Sequence, residues 1–150
     1  MMYWYFFVLA QCSLAMIMLL HDWVYLPPLT DIRALRQSHS LEVRLITTVI
    51  NSMTVLVPLG VTIWFFGASA IPLWAVRTIF WCYLVLTCGT IASWWIPYFF
   101  GSPASHKEGF SEYQGTHHFL PTRGDNVVPN TLHVILHVHV WLCLILALYL

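Results

Sequence analysis

Charge is what this 150-residue chain has least of: Asp, Glu, Lys and Arg make up 8% of it, where a soluble domain carries about 25%. With 59% hydrophobic residues and a mean hydropathy of +0.75, water is not its main solvent. No block of Lys or Arg occurs and the formal net charge is zero, which excludes nucleic-acid binding and a polybasic lipid patch. The four cysteines, Cys12, Cys82, Cys88 and Cys143, sit inside apolar segments without a C-x-x-C pair. Thiol redox chemistry and a zinc knuckle are excluded on that spacing, and the cysteines read as small core residues. Also missing are the phosphate-cradling G-x-x-x-x-G-K, the G-x-S-x-G nucleophile elbow and the H-E-x-x-H metalloprotease helix. A basic leader region is absent before Tyr3, so Tyr3 to Leu20 is expected to stay as a spanning helix.

The few charges are not scattered. Eleven of the twelve fall between Asp22 and Arg44 or between Lys107 and Asp125, with Arg77 alone elsewhere. Around these windows run apolar stretches of roughly 20 residues, the length that crosses a bilayer. A backbone in hydrocarbon must satisfy its own hydrogen bonds, so each stretch is expected to be a helix. The expected fold is a single all-α domain, an integral membrane four-helix bundle with helices at about 3–22, 45–66, 72–99 and 131–150. Pro27 and Pro28 stop the first helix, and Pro58 is expected to kink the second. Gly67 to Pro72 makes a tight turn, and Asn130 caps the fourth helix. One long polar loop, Phe100 to Asn130, joins helices three and four, and Leu29 to Arg44 joins one and two, with part of it as an interfacial helix.

Four crossings put both charged windows on one side and both termini on the other. The charged side holds Arg33, Arg36, Arg44, Lys107 and Arg123 against Arg77 opposite. Excess Lys and Arg in short loops marks the cytoplasmic face, so a multi-pass protein with both termini outside is expected. Within the helices, Thr47, Asn51, Thr54, Pro58 and Thr62 form one polar stripe, and Cys82, Gly89 and Ser93 form a small-residue stripe suited to close helix contact. Trp94, Trp95, Pro97 and Tyr98 read as an aromatic belt at the headgroup boundary.

Chemistry concentrates on the charged side. Six of the eight histidines lie between His106 and His139, beside Glu112, Arg123, Asp125 and Asn130. His133 and His137, four apart on a helix, share one face with rings about 6 Å apart, a spacing able to clamp a metal ion. His117 and His118 are the expected further ligands, with Asn130, His21, Arg123, Asp125 and Tyr98 around them. Imidazoles with one or two carboxylates suit Zn, Fe or Mn. His139 is rotated roughly 200° from His137 and falls outside that set. Asp22, at the negative pole of helix one, requires a cation, a metal or a proton beside it. No H-x-x-H-H box of the kind membrane desaturases and hydroxylases use is present, and no family is assigned.

Three functions fit these residues. The first is a metal-dependent membrane enzyme, a hydrolase or oxidoreductase acting on a lipid-like or apolar substrate, with Glu112 as general base, Asp22 as a second catalytic carboxylate and metal-bound water as nucleophile. The second is a non-catalytic accessory or scaffold subunit whose histidines hydrogen-bond the long loop onto the bundle. The third is proton- or ion-coupled transport through Asp22, Asn51 and the histidines. The expected partners are the lipid bilayer and, for the last two readings, a second copy or a larger membrane complex.

Overall fold

The computed structural model describes residues 2–150. It contains helices and no strand among the described residues. Helix α1 (Met2–Leu20) is followed by the short α2 (Ile32–Ser38) and then α3 (Leu41–Trp64). Helix α4 (Leu73–Thr90) runs through a π-helical turn (Ile91–Trp95) into α5 (Ile96–Phe100), making one rod. The polar loop carries α6 (Ala104–Gly109) and a 3₁₀ turn (Ser111–Tyr113), and α7 (Thr131–Ala147) follows.

Local chemistry explains the ends. Helix α1 closes with His21 and Val24 amides bonded to Ile17 and Leu20 carbonyls, so a frayed turn carries the chain to Val24 before the prolines. Helix α3 begins at Leu41, earlier than the expected 45, because the Ser40 side chain accepts the Val43 amide at 3.3 Å. Asp31 caps α2 by accepting from the Arg33 and Ala34 amides. Gly67 and Gly101, with φ of 75° and 86°, turn the chain out of α3 and α5, a conformation that costs a side-chain-bearing residue most. Helix α7 stops at Ala147, short of 150, where the Leu148 amide turns back to Ile145 in the tighter i−3 pattern.

Three helical segments, Met2–Leu20, Leu41–Trp64 and Leu73–Phe100, are long and apolar enough to cross a membrane, and α7 is a shorter apolar helix. Helix α1 packs on α3 and α7, and α4 packs on the same two, so the four close into a ring. Phe7, Leu14, Val55, Ile79, Tyr83 and Val140 fill its centre. Large apolar side chains such as Leu9, Met53, Trp81 and Ile145 point outward, the arrangement lipid rewards. Helix α3 stays continuous across Pro58: the Thr62 hydroxyl donates to the Pro58 carbonyl and accepts from Gln11 of α1. The polar stripe of α3 turns inward at Asn51 and Thr62 but leaves Thr47 exposed.

The charged windows meet at one end of the ring. The His117 amide donates to the Pro28 carbonyl at 2.8 Å, and His39 lies 3.3 Å from Glu112. The long loop is thereby folded over the α1–α2 connection.

Candidate functional site: a histidine pair beneath the loop

His133 and His137 are buried, and their ring centroids stand 6.1 Å apart on the inner face of α7. The π-helical turn supplies the opposite wall. A π turn holds an extra residue per turn and swings the following side chains round, and here it sets Trp94 and Trp95 against the two rings. Trp94 lies tilted against His133 with ring centroids 4.2 Å apart, and the Trp95 indole N–H donates to His137 Nδ1 at 3.2 Å. Trp94 therefore belongs to the interior and not to an aromatic belt. Neither tryptophan was identifiable as a histidine partner from sequence, because a π turn has no sequence signature.

The hydrogen bonds fix where each proton sits. Asn130 Oδ1 accepts the His133 backbone amide at 2.9 Å, so it is an oxygen acceptor, and His133 Nδ1 at 2.8 Å must donate to it. The Nε2 of His133 is left with a lone pair. An indole can only donate, so His137 Nδ1 accepts and its Nε2 carries the hydrogen. The two rings are opposite tautomers, one offering a base and the other an N–H.

His21 and Asp22 complete the cluster from the end of α1. His21 Nδ1 faces the carbonyls of Ile17 and Met18 at 3.1 Å, and its Nε2 faces Asp22 Oδ1 at 3.2 Å. Every one of these partners is a hydrogen-bond acceptor, so the ring sits between two backbone carbonyls and the carboxylate. The Asp22 carbonyl accepts Arg44 Nη2 at 2.6 Å, and that guanidinium lies 4.4 Å over the Trp23 ring. Arg44 thus reaches the Asp22 backbone from α3, while the Asp22 carboxylate itself faces His21. His21 approaches His133 edge-on, with centroids 6.0 Å apart.

A cavity of about 350 Å³ opens against both α7 histidines. His21, Asn51 and Ser93 give it polar points, and Leu86, Leu136 and Trp94 give it apolar walls. Gly89 borders it, and a Cβ there would meet no atom within 4 Å. Gly89 is therefore cavity wall, not the close helix contact expected of the small-residue stripe. A second, much smaller cavity of about 20 Å³ lies toward the loop, touching His21, Asp22, Glu112, Tyr113, Asn130 and His133.

The other expected site residues serve the loop. His117 Nδ1 lies 2.7 Å from the Thr131 hydroxyl, and His118 Nε2 donates to the Tyr113 carbonyl. Tyr98 donates to the Pro121 carbonyl, and Arg123 lies over the Tyr98 and Phe99 rings. Asp125 pairs with Lys107 on the surface, and that pairing holds its carboxyl below the usual range. Because the folded carboxyl is the more acidic, the contact is present above the ordinary Asp range and lost as pH falls through the lowered value. His139 bonds back to the Ile135 carbonyl. Glu112 is buried and paired with His39, a partner that sequence spacing did not single out. Burial, with Asp22 and Glu112 alongside, pushes the Tyr113 phenol upward, so it stays protonated across the ordinary pH range.

The expected metal set is not gathered. Among the described residues no three His, Cys, Asp or Glu side chains converge as ligands would, since His117 and His118 are turned to Thr131 and Tyr113. A metal between His133 and His137 also needs a lone pair from each ring. With Trp95 donating to Nδ1, the free nitrogen of His137 bears a hydrogen instead. No family model matches the chain, and comparison with curated proteins and with solved structures finds no match either.

Proposed function

We propose that the chain is a four-helix integral membrane protein, with α7 as the fourth crossing, and that its cavity performs proton transfer on an apolar molecule bearing a carbonyl group. The carrying observation is the pair of contacts, Asn130 Oδ1 on His133 Nδ1 and the Trp95 indole on His137 Nδ1, which assign opposite tautomers to two rings on one cavity wall. In this reaction His137 Nε2–H holds the carbonyl oxygen while His133 Nε2 takes a proton from the adjacent carbon. The C–H electron pair moves into the new C=C bond, and the carbonyl π pair moves onto oxygen. Return of the proton at the same or a conjugated carbon gives exchange or double-bond migration. A neutral imidazole is a known electrophile of this kind, and no metal is required. The walls formed by Leu86, Leu136 and Trp94 suit an apolar body.

Photolabelling tests this reading. A diazirine-bearing long-chain ketone is expected to label α7 and the π turn in preference to the matching hydrocarbon, and His133→Leu is expected to erase the preference. Equal labelling by ketone and hydrocarbon overturns the reading.

The lysine and arginine bias supports both termini outside and the charged loops in the cytoplasm. A Ser105→Cys substitution in an otherwise cysteine-free protein is then labelled by an impermeant maleimide only in inverted vesicles. Labelling in intact cells reverses the orientation.

A second reading, an accessory subunit in a larger membrane complex, is favoured by His117 and His118, which tie the loop to Thr131 and Tyr113. It expects His133→Gln to leave function intact, where the proton-transfer reading expects loss.

A further inference from the structure

A base buried among helices must exchange its proton with something. The large cavity borders apolar walls, and His133 itself is enclosed. The small cavity beneath it has about 20 Å³ of room, where one water molecule needs about 10–15 Å³ and two to four polar partners. Its polar lining includes His21, Asp22, Glu112, Tyr113, Asn130 and His133, with Thr30 tied to the Leu26 amide and the Val24 carbonyl. His21 and His133 belong to the walls of both cavities. On the far side Glu112, itself shielded, reaches His39, whose side chain is 39% exposed.

We propose that the small cavity is a single-water site that completes a proton path from the aqueous face to the membrane cavity, through His39, Glu112, the water and the His21–Asp22 pair. The role of Glu112 is then to carry protons and not to activate a metal-bound water. Each link is a group able to accept a proton on one side and release it on the other. His39 Nε2 meets Glu112 Oε2 at 3.3 Å, and Asp22 Oδ1 meets His21 Nε2 at 3.2 Å. Asp31 also lines the small cavity but is held as the α2 cap by two backbone amides. Tyr113 stays protonated and is hydrogen-bonded to Glu112. Arg44 binds the Asp22 carbonyl and not its carboxylate, so the carboxylate's ion-pair partner is His21.

This path rests on the proton-transfer reading, but its test does not use the ketone. In nanodiscs containing protein labelled with ¹⁵N-histidine, transfer from bulk water to the ring N–H groups of His21 and His133 is measured by NMR. Glu112→Gln keeps the side chain's size and a hydrogen bond to His39 but cannot carry a proton. Exchange at both rings is expected to slow by about tenfold or more, equivalent to about 1.4 kcal/mol in barrier, and Glu112→Asp restores part of it. Wild-type exchange in a folded Glu112→Gln protein overturns the path. If that variant does not fold, His39→Gln, on the loop surface, is read the same way. Ketone labelling in the large cavity with unaltered exchange would refute the path alone, and slowed exchange without ketone preference would refute the carbonyl reading alone.

Discussion

Proteoliposomes suspended in deuterium oxide are expected to exchange the α-hydrogens of a long-chain ketone, and His133→Gln is expected to lower that rate by about 100-fold or more, the contribution usual for a positioned general base. The expectation follows from the free Nε2 lone pair that Asn130 imposes on His133. Glutamine retains polarity and approximate size but has no basic nitrogen, so loss of exchange with an intact helical spectrum separates chemistry from packing. Gly89→Leu makes the complementary case. A Cβ at Gly89 has open space before it, and a leucine there occupies the cavity of about 350 Å³ without displacing backbone. Its exposed helical position also favours leucine over glycine, by somewhat less than the about 0.8–1.0 kcal/mol that separates alanine from glycine. Gly89→Leu is therefore expected to fold at least as well as the wild type while losing both ketone labelling and exchange. Undiminished exchange in both variants would place the reaction outside this cavity.

Asn130→Ala is the substitution expected to cost most in stability. One side chain there caps α7 through the His133 amide, accepts the His133 ring hydrogen and donates to the Thr116 hydroxyl at 2.9 Å. Loss of the cap costs about 1 kcal/mol, and each buried group left without a partner costs about 1–3 kcal/mol more. Asn130→Asp keeps the acceptor oxygen for both His133 contacts but loses the donor to Thr116 and sets a carboxylate in a buried site, at the positive pole of α7. Denaturant unfolding in detergent is expected to rank wild type above Asp above Ala. Equal stability of Asp and Ala would mean that the cap and the ring contact contribute little.

Much of this arrangement is legible before any coordinates. The clustering of charge at Asp22–Arg44 and Lys107–Asp125 places both loops at one end, because lipid tolerates ionisable groups poorly along a span. Asn130 before an apolar run announces the α7 cap, and the four-residue spacing of His133 and His137 announces a shared face. What is not legible comes from register and distance. A π turn adds one residue without changing composition, so Trp95 cannot be matched to His137 by counting. His39 and Glu112 are far apart in sequence and meet only because the loop folds over the α1–α2 connection. The metal reading fails to find its ligands for a related reason: spacing shows that two imidazoles face each other, but the tautomers depend on Asn130 and Trp95. Gly89 looks like packing glue on a helical wheel, and only the space before it identifies it as cavity wall.

The most direct test of the central claim is the ¹⁵N spectrum of selectively labelled histidine in lipid, with resonances assigned by substituting each ring in turn. The proton-transfer account predicts His133 protonated at Nδ1 and bare at Nε2, and His137 the reverse, with His137 changing when Trp95→Phe removes its indole donor. The same tautomer on both rings, or a His137 indifferent to Trp95, would contradict it.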